Sequence, residues 1–199
     1  MKKFKIRVNR IEAHQLNDRL LLINLYLTQA ITLIVGGIWI LLQNRNPLGL
    51  LAFPADLNFL YWGLGLAGTM LVADFVLSRI FSSEDMDDGG INEMLFRARP
   101  VWHIFVIALV VSICEELLFR GAIQHAFGPY WTSILFALIH VRYLRHWLPT
   151  GWVFLSSYGL GYVYIHTGTL WAPILCHFLI DFISGLLIRF RRKEDHERA

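Results

Sequence analysis

Glu115, Glu116 and Arg120 fall within six positions, Glu115-Glu116-Leu117-Leu118-Phe119-Arg120, of a largely apolar run from Val101 to Ile123. A run of that length is about what a helix needs to cross a bilayer, ~20 residues. A charge at that depth costs at least ~2.5–3.5 kcal/mol, so three such side chains need a reason. Ionisable groups in a membrane pair with one another or line a site, and these are expected to do both. Two later apolar runs carry polar residues at the same four-residue interval: Phe136 with His140, and His177 with Asp181.

Residues i and i+4 share a helix face. Glu116 therefore reaches Arg120, and the pair lowers the cost of burying either charge. Glu115 points about 100° away and is left to face the interior of the bundle. A carboxylate there, held near an imidazole, suits the removal of a proton from water. His140 is the candidate to help hold that water. His177, with its ring fixed by Asp181, can donate to a developing oxyanion. Taken singly, a histidine in a helical bundle is more often a structural hydrogen-bonding residue than a catalyst. Glu115 beside two of them shifts the balance toward chemistry.

Six apolar runs must position these groups. They cover Leu20–Leu42, Leu57–Phe81, Val101–Ile123, Tyr130 to about Tyr143, Leu148–His166 and Leu170–Phe190. In the first, Asn24, Thr28, Gln29 and Thr32 recur at helical spacing and are expected to face other helices. Gly63, Gly65 and Gly68, and later Gly151, Gly159 and Gly161, allow close helix approach. Asp74 and Arg79 read as a local interfacial pair. Residues 43–56 read as a loop. Residues 82–100 read as a solvated linker whose acidic cluster, Glu84 to Asp88, lacks the spacing of a calcium loop.

The 199 residues are 56% hydrophobic and 17% charged, against about 25% charged in soluble domains. The fold expected is all-α, a polytopic transmembrane bundle of about six spans. A basic tail (1–19) precedes the helical domain (20–190, protease-like core about 100–190), and a charged tail (191–199) follows it. No cleavable signal peptide is evident. Sixteen of the 18 Lys and Arg fall in the N-terminal tail, the 82–100 linker with Arg79 at its edge, the loop with Arg142 and Arg145, and the C-terminal end from Arg189; Arg45 stands alone in the opposite loops. By the positive-inside rule both termini are cytoplasmic. This clustering at span ends argues against a nucleic-acid partner despite a pI near 9.0. Cys114 and Cys176, without CxxC spacing, read as small packed hydrophobes. His103 and His166, at span ends, read as interfacial. Ser112, Ser133, Ser156 and Ser157 carry no Gly-x-Ser-x-Gly, and intramembrane serines commonly bond back to their own helix.

Glu-Glu-x-x-x-Arg, then Phe-x-x-x-His, then His-x-x-x-Asp, in that order and each inside a span, resembles the CPBP family. That family contains CAAX-processing endopeptidases and bacterial Abi-type, bacteriocin-immunity-linked membrane proteins. The resemblance covers about 100 to 190; residues 1–99 match only as helices of unspecified sequence. It implies a glutamate-dependent intramembrane endopeptidase in a bacterial cell membrane. Glu115 and His140 would activate water, and His177 and Asp181 would form the oxyanion site, with Glu116, Arg120 and Phe136 in support. Asp181 stands where some members have Asn. An ionised aspartate disfavours an adjacent oxyanion, so Asp181 either orients His177 or is protonated.

The implied partners are the lipid bilayer and a membrane-anchored protein or peptide substrate. No cofactor is expected. Metalloprotease is the older label for the family, and zinc is the alternative, with Glu115, His140 and His177 as its ligands, although no HExxH occurs. Two other functions compete: a non-catalytic membrane adaptor or bacteriocin-immunity protein on the same fold, and a small proton-coupled transporter. The transporter would need paired broken helices or an inverted repeat, which the sequence lacks.

Overall fold

The structure, a computed structural model, describes residues 18–81, 90–140, 144 and 146–197, with side chains from 19 to 190. The basic N-terminal tail, the acidic cluster at 84–88 and the loop holding Arg142 and Arg145 lie outside the described residues. Helices account for all regular structure among the described residues. They are α1 (Asp18–Leu42), α2 (Pro47–Leu50), α3 (Asn58–Ile80), α4 (Ile91–Phe96), α5 (Val101–Glu116), a π-helical segment (Leu117–Ile123), α6 (Gln124–Ile139), α7 (Trp147–Thr167) and α8 (Trp171–Glu197).

Four stretches are long and apolar enough to cross a membrane: Arg19–Leu42, Asn58–Ile80, Val101–Ile139 and Trp171–Phe190. The third is 39 residues long and breaks at Gly128, whose φ of 75° and ψ of 172° lie outside helical space. Glycine enters that region without a Cβ penalty, and Pro129 restarts the helix at a position that needs no N–H donor. With the 21-residue α7, the bundle has about six long helical segments, as the apolar runs require.

The polarity is inverted relative to a soluble bundle. Along α1 the stripe Leu27, Ile31, Ile34, Ile38 and Leu41 is exposed while Gln29 is buried. An uncovered apolar stripe opposite a buried polar group is how a helix facing lipid is built. Asn24 and Thr28, expected to face neighbours, lie on the exposed side, and Thr28 donates to the Asn24 carbonyl instead. That back-bond satisfies the hydroxyl without a partner helix.

Several expectations are corrected by packing. The second half of the 82–100 linker is not solvated: α4 buries Leu95 and Phe96 against Leu21, Ile104 and Ile107. The 43–56 loop contains the short α2, with Pro47 opening it and Asn46 capping it through its side chain. Gly63 does permit close approach, since a Cβ there would sit 2.9 Å from the Ala172 carbonyl of α8. Gly159 and Gly161 also meet neighbours, but Gly65, Gly68 and Gly151 face open space. Arg79 lies over the Phe75 ring, 4.9 Å from its centroid, rather than pairing with Asp74. The α8 backbone stays helical to Glu197, into the expected tail.

The expected α-helix over 101–123 is corrected too. After Glu116 it widens into a π turn, closed by the Gln124 N–H on the Phe119 carbonyl. Side chains just past the end of α1 meet this segment. Arg45 Nη1 donates to the Gly121 carbonyl at 2.7 Å, and Gln43 Nε2 donates to the Ala122 carbonyl at 3.0 Å. Such single-turn π segments recur at functional sites.

Candidate active site

Glu116 is fully enclosed and engaged at both oxygens. Oε2 pairs with Arg120 Nε at 3.0 Å, and Oε1 accepts from His177 Nδ1 at 2.8 Å. Both side chains of the Glu116–Arg120 pair have no solvent exposure. Arg120 continues the chain into α7, where Nη2 donates to the Ser157 carbonyl at 3.2 Å and meets its Oγ at 3.3 Å. Its guanidinium also lies 5.6 Å from the Phe136 ring centroid, within cation–π reach. One buried network thus joins α5, the π segment, α6, α7 and α8. Charges this deep persist only when paired and hydrogen-bonded.

The sequence anticipated the Glu116–Arg120 pair but not that Glu116 would also hold His177. His177 is caught between two carboxylates: Nδ1 on Glu116, and Nε2 3.5 Å from Asp181 Oδ2 on its own helix. The short contact is the one with Glu116, so that residue fixes the ring more firmly than Asp181 does.

Phe136 organises the two histidines. Its ring lies 4.5 Å from that of His140 and 6.4 Å from that of His177, and it packs edge-on to Phe119 at 4.7 Å. His140 ends α6 and turns Nδ1 onto the Phe136 carbonyl at 2.7 Å. A carbonyl only accepts, so Nδ1 carries the proton.

Glu115 differs from its neighbour. It is half-buried, and one oxygen, Oε1, accepts from Gln29 Nε2 of α1 at 3.1 Å. Gln29 was singled out only as a polar residue facing inward; nothing in its spacing pointed to Glu115, 86 positions away.

The remaining polar residues have structural partners. Ser112 and Ser133 bond back to the Leu109 and Pro129 carbonyls, as intramembrane serines commonly do. Ser157 instead receives Arg120, a role its sequence context did not signal. His103 bonds to the Tyr26 hydroxyl and stacks on Trp102, and His166 packs on Tyr162 and Trp62. Cys114 and Cys176 are free and buried.

For zinc the fit is poor. Among the described residues no three His, Cys, Asp or Glu side chains are grouped to hold a metal ion, and each nitrogen of His177 already faces a carboxylate.

Comparison with known proteins adds an independent line. Residues 97–183 match the family model described as type II CAAX prenyl endopeptidase Rce1-like. The chain is 37% identical over 144 residues to the uncharacterized protein YpbD of Bacillus subtilis, covering 71% of this chain and 76% of that one. It is 26% identical over 144 residues to the UPF0177 protein YxdF of Lactococcus lactis, covering 67% of this chain and 80% of that one. No solved structure matches. Glu115, Glu116, Arg120, Phe136, His140, His177 and Asp181 all fall inside the family match, and Gln29 falls outside it.

Proposed function

The chain belongs to the Rce1-like family of type II CAAX prenyl endopeptidases, and from that premise we propose that it is an intramembrane endopeptidase using Glu115 as its base. The observation carrying the assignment is the contrast between the two adjacent carboxylates. Glu116 has both oxygens committed inside a buried network. Glu115 is half-buried and held through a single oxygen by an uncharged amide. A general base needs an oxygen that water and substrate can reach, and Glu115 meets that need.

In this reading Glu115 takes one proton from a water molecule, and His140 helps to hold and orient that water. The hydroxide oxygen bonds to the scissile carbonyl carbon, and the carbonyl π electrons move to its oxygen. His177, its ring held by Glu116 through Nδ1, donates its Nε2–H, only loosely engaged by Asp181, to that oxyanion. As the C–N bond breaks, the proton on Glu115 passes to the leaving nitrogen. No step is routed through a metal. The substrate class is a membrane-anchored protein or peptide, reached from a bacterial cell membrane, and both termini lie on the cytoplasmic side.

The test uses purified protein in liposomes. It is given quenched peptides with a prenylated C-terminal Cys-a-a-X sequence and, separately, membrane-anchored peptides without the prenyl group, with products read by mass spectrometry. Internal cleavage by the wild type, falling by about 10²–10⁴-fold in Glu115→Gln, is the expected result for loss of a general base. Turnover at the wild-type rate in Glu115→Gln would remove the mechanism. A protein that hydrolyses none of these peptides yet binds a membrane partner through the same cluster would be the non-catalytic adaptor.

A further inference from the structure

Gln29 is the one buried polar side chain on α1 among the described residues, 6% exposed. It sits on a helix whose outer stripe is apolar and which the family match does not cover. Its Nε2 is 3.1 Å from Glu115 Oε1. The amide presents its NH₂ to Glu115, whose Oε1 accepts. The other end of the amide, Oε1, is buried without a hydrogen-bond partner.

A buried amide on a lipid-facing helix is costly unless it has a partner, and the partner of the Gln29 NH₂ is Glu115. The residue is better explained by what it does to Glu115. Arg120 and His177 are already taken by Glu116, and the Gln29 amide is the direct contact that fixes the Glu115 rotamer.

We infer that Gln29 is a positioning residue for Glu115. Its Nε2–H holds one carboxylate oxygen in place and leaves the other to meet water. The inference rests on the endopeptidase reading above and deepens it: the site is incomplete without α1, although no motif on that helix announces the role.

The experiment compares Gln29→Leu and Gln29→Met with Glu115→Gln and wild type, all as full chains in liposomes, using the cleaved peptide as substrate. Both Gln29 variants should lower kcat by about 10²-fold, the effect of displacing a catalytic group by roughly an ångström, while KM and thermal stability stay close to wild type. A second readout needs no substrate. The infrared carboxyl band of Glu115, identified by its absence in Glu115→Gln, should shift in both Gln29 variants. Loss of activity in Glu115→Gln together with wild-type kcat in the Gln29 variants overturns this inference alone. Wild-type activity in Glu115→Gln overturns the glutamate mechanism and this role with it. An unmoved Glu115 band shows that the amide does not act on the carboxylate, and equally overturns the proposal.

Discussion

His177 Nδ1 lies 2.8 Å from Glu116 Oε1, a contact that ties α8 to the end of α5 across 61 residues. It places the third motif directly on the first, with Arg120 on the other oxygen of the same carboxylate. Glu116 is therefore the hinge of the network rather than a spare copy of Glu115. Glu116→Gln leaves Arg120 buried without its contact ion-pair partner, and removing one partner of a buried pair costs about 3–5 kcal/mol. The expected result is a matching loss of stability in detergent, followed by chemical unfolding. Glu116→Gln combined with Arg120→Met should recover part of that loss, because no unpaired charge remains.

The π segment gives a second prediction. Arg45 and Gln43 donate to the Gly121 and Ala122 carbonyls. Arg45→Ala should cost about 1.5–3 kcal/mol, the worth of a hydrogen bond to a charged group. Faster hydrogen exchange confined to the Leu117–Ile123 turn would check it. Unchanged exchange there would mean that the turn holds its shape without the staple.

A contrast between two glycines of α3 tests the packing. A Cβ at Gly63 would meet the Ala172 carbonyl at 2.9 Å, whereas one at Gly65 would meet nothing within 4 Å. Gly63→Val should destabilise by roughly 1–3 kcal/mol through overpacking, and Gly65→Val should stay within about 0.5 kcal/mol of wild type. Thermal unfolding in the same detergent separates the two. Spacing alone made these glycines equivalent; only the position of α8 tells them apart.

That contrast shows where sequence reasoning reaches and where it stops. Hydropathy and the i, i+4 interval made the bundle, the separation of the third and fourth apolar runs and the Glu116–Arg120 pair legible, because each depends on neighbours in the chain. The π turn was not legible: its carbonyls are met by Arg45 and Gln43, 76 and 79 positions away. Nor was α4, whose apolar side chains gain cover when α1, α5 and α8 close over them. Ser157 looked like every other intramembrane serine until Arg120 reached it. Gln29 carried a weak signal, a polar residue on an apolar helix, but nothing local named Glu115 as its partner.

Asp181 supplies the last test. Its Oδ2 is 3.5 Å from His177 Nε2, a loose contact beside the tight one that Glu116 makes with Nδ1. If Glu116 fixes the ring and the Nε2–H serves an oxyanion, the negative charge of Asp181 is not needed and opposes the developing charge. Asp181→Asn should then keep kcat at or above wild type, since an amide still orients the ring. His177→Ala should lose about 10²–10³-fold in kcat, the effect of removing one oxyanion donor. Steady-state turnover of the same peptide by both variants decides the matter. A collapse of kcat in Asp181→Asn, with His177 still seated on Glu116, would make the carboxylate itself the working group and displace His177 from the oxyanion role.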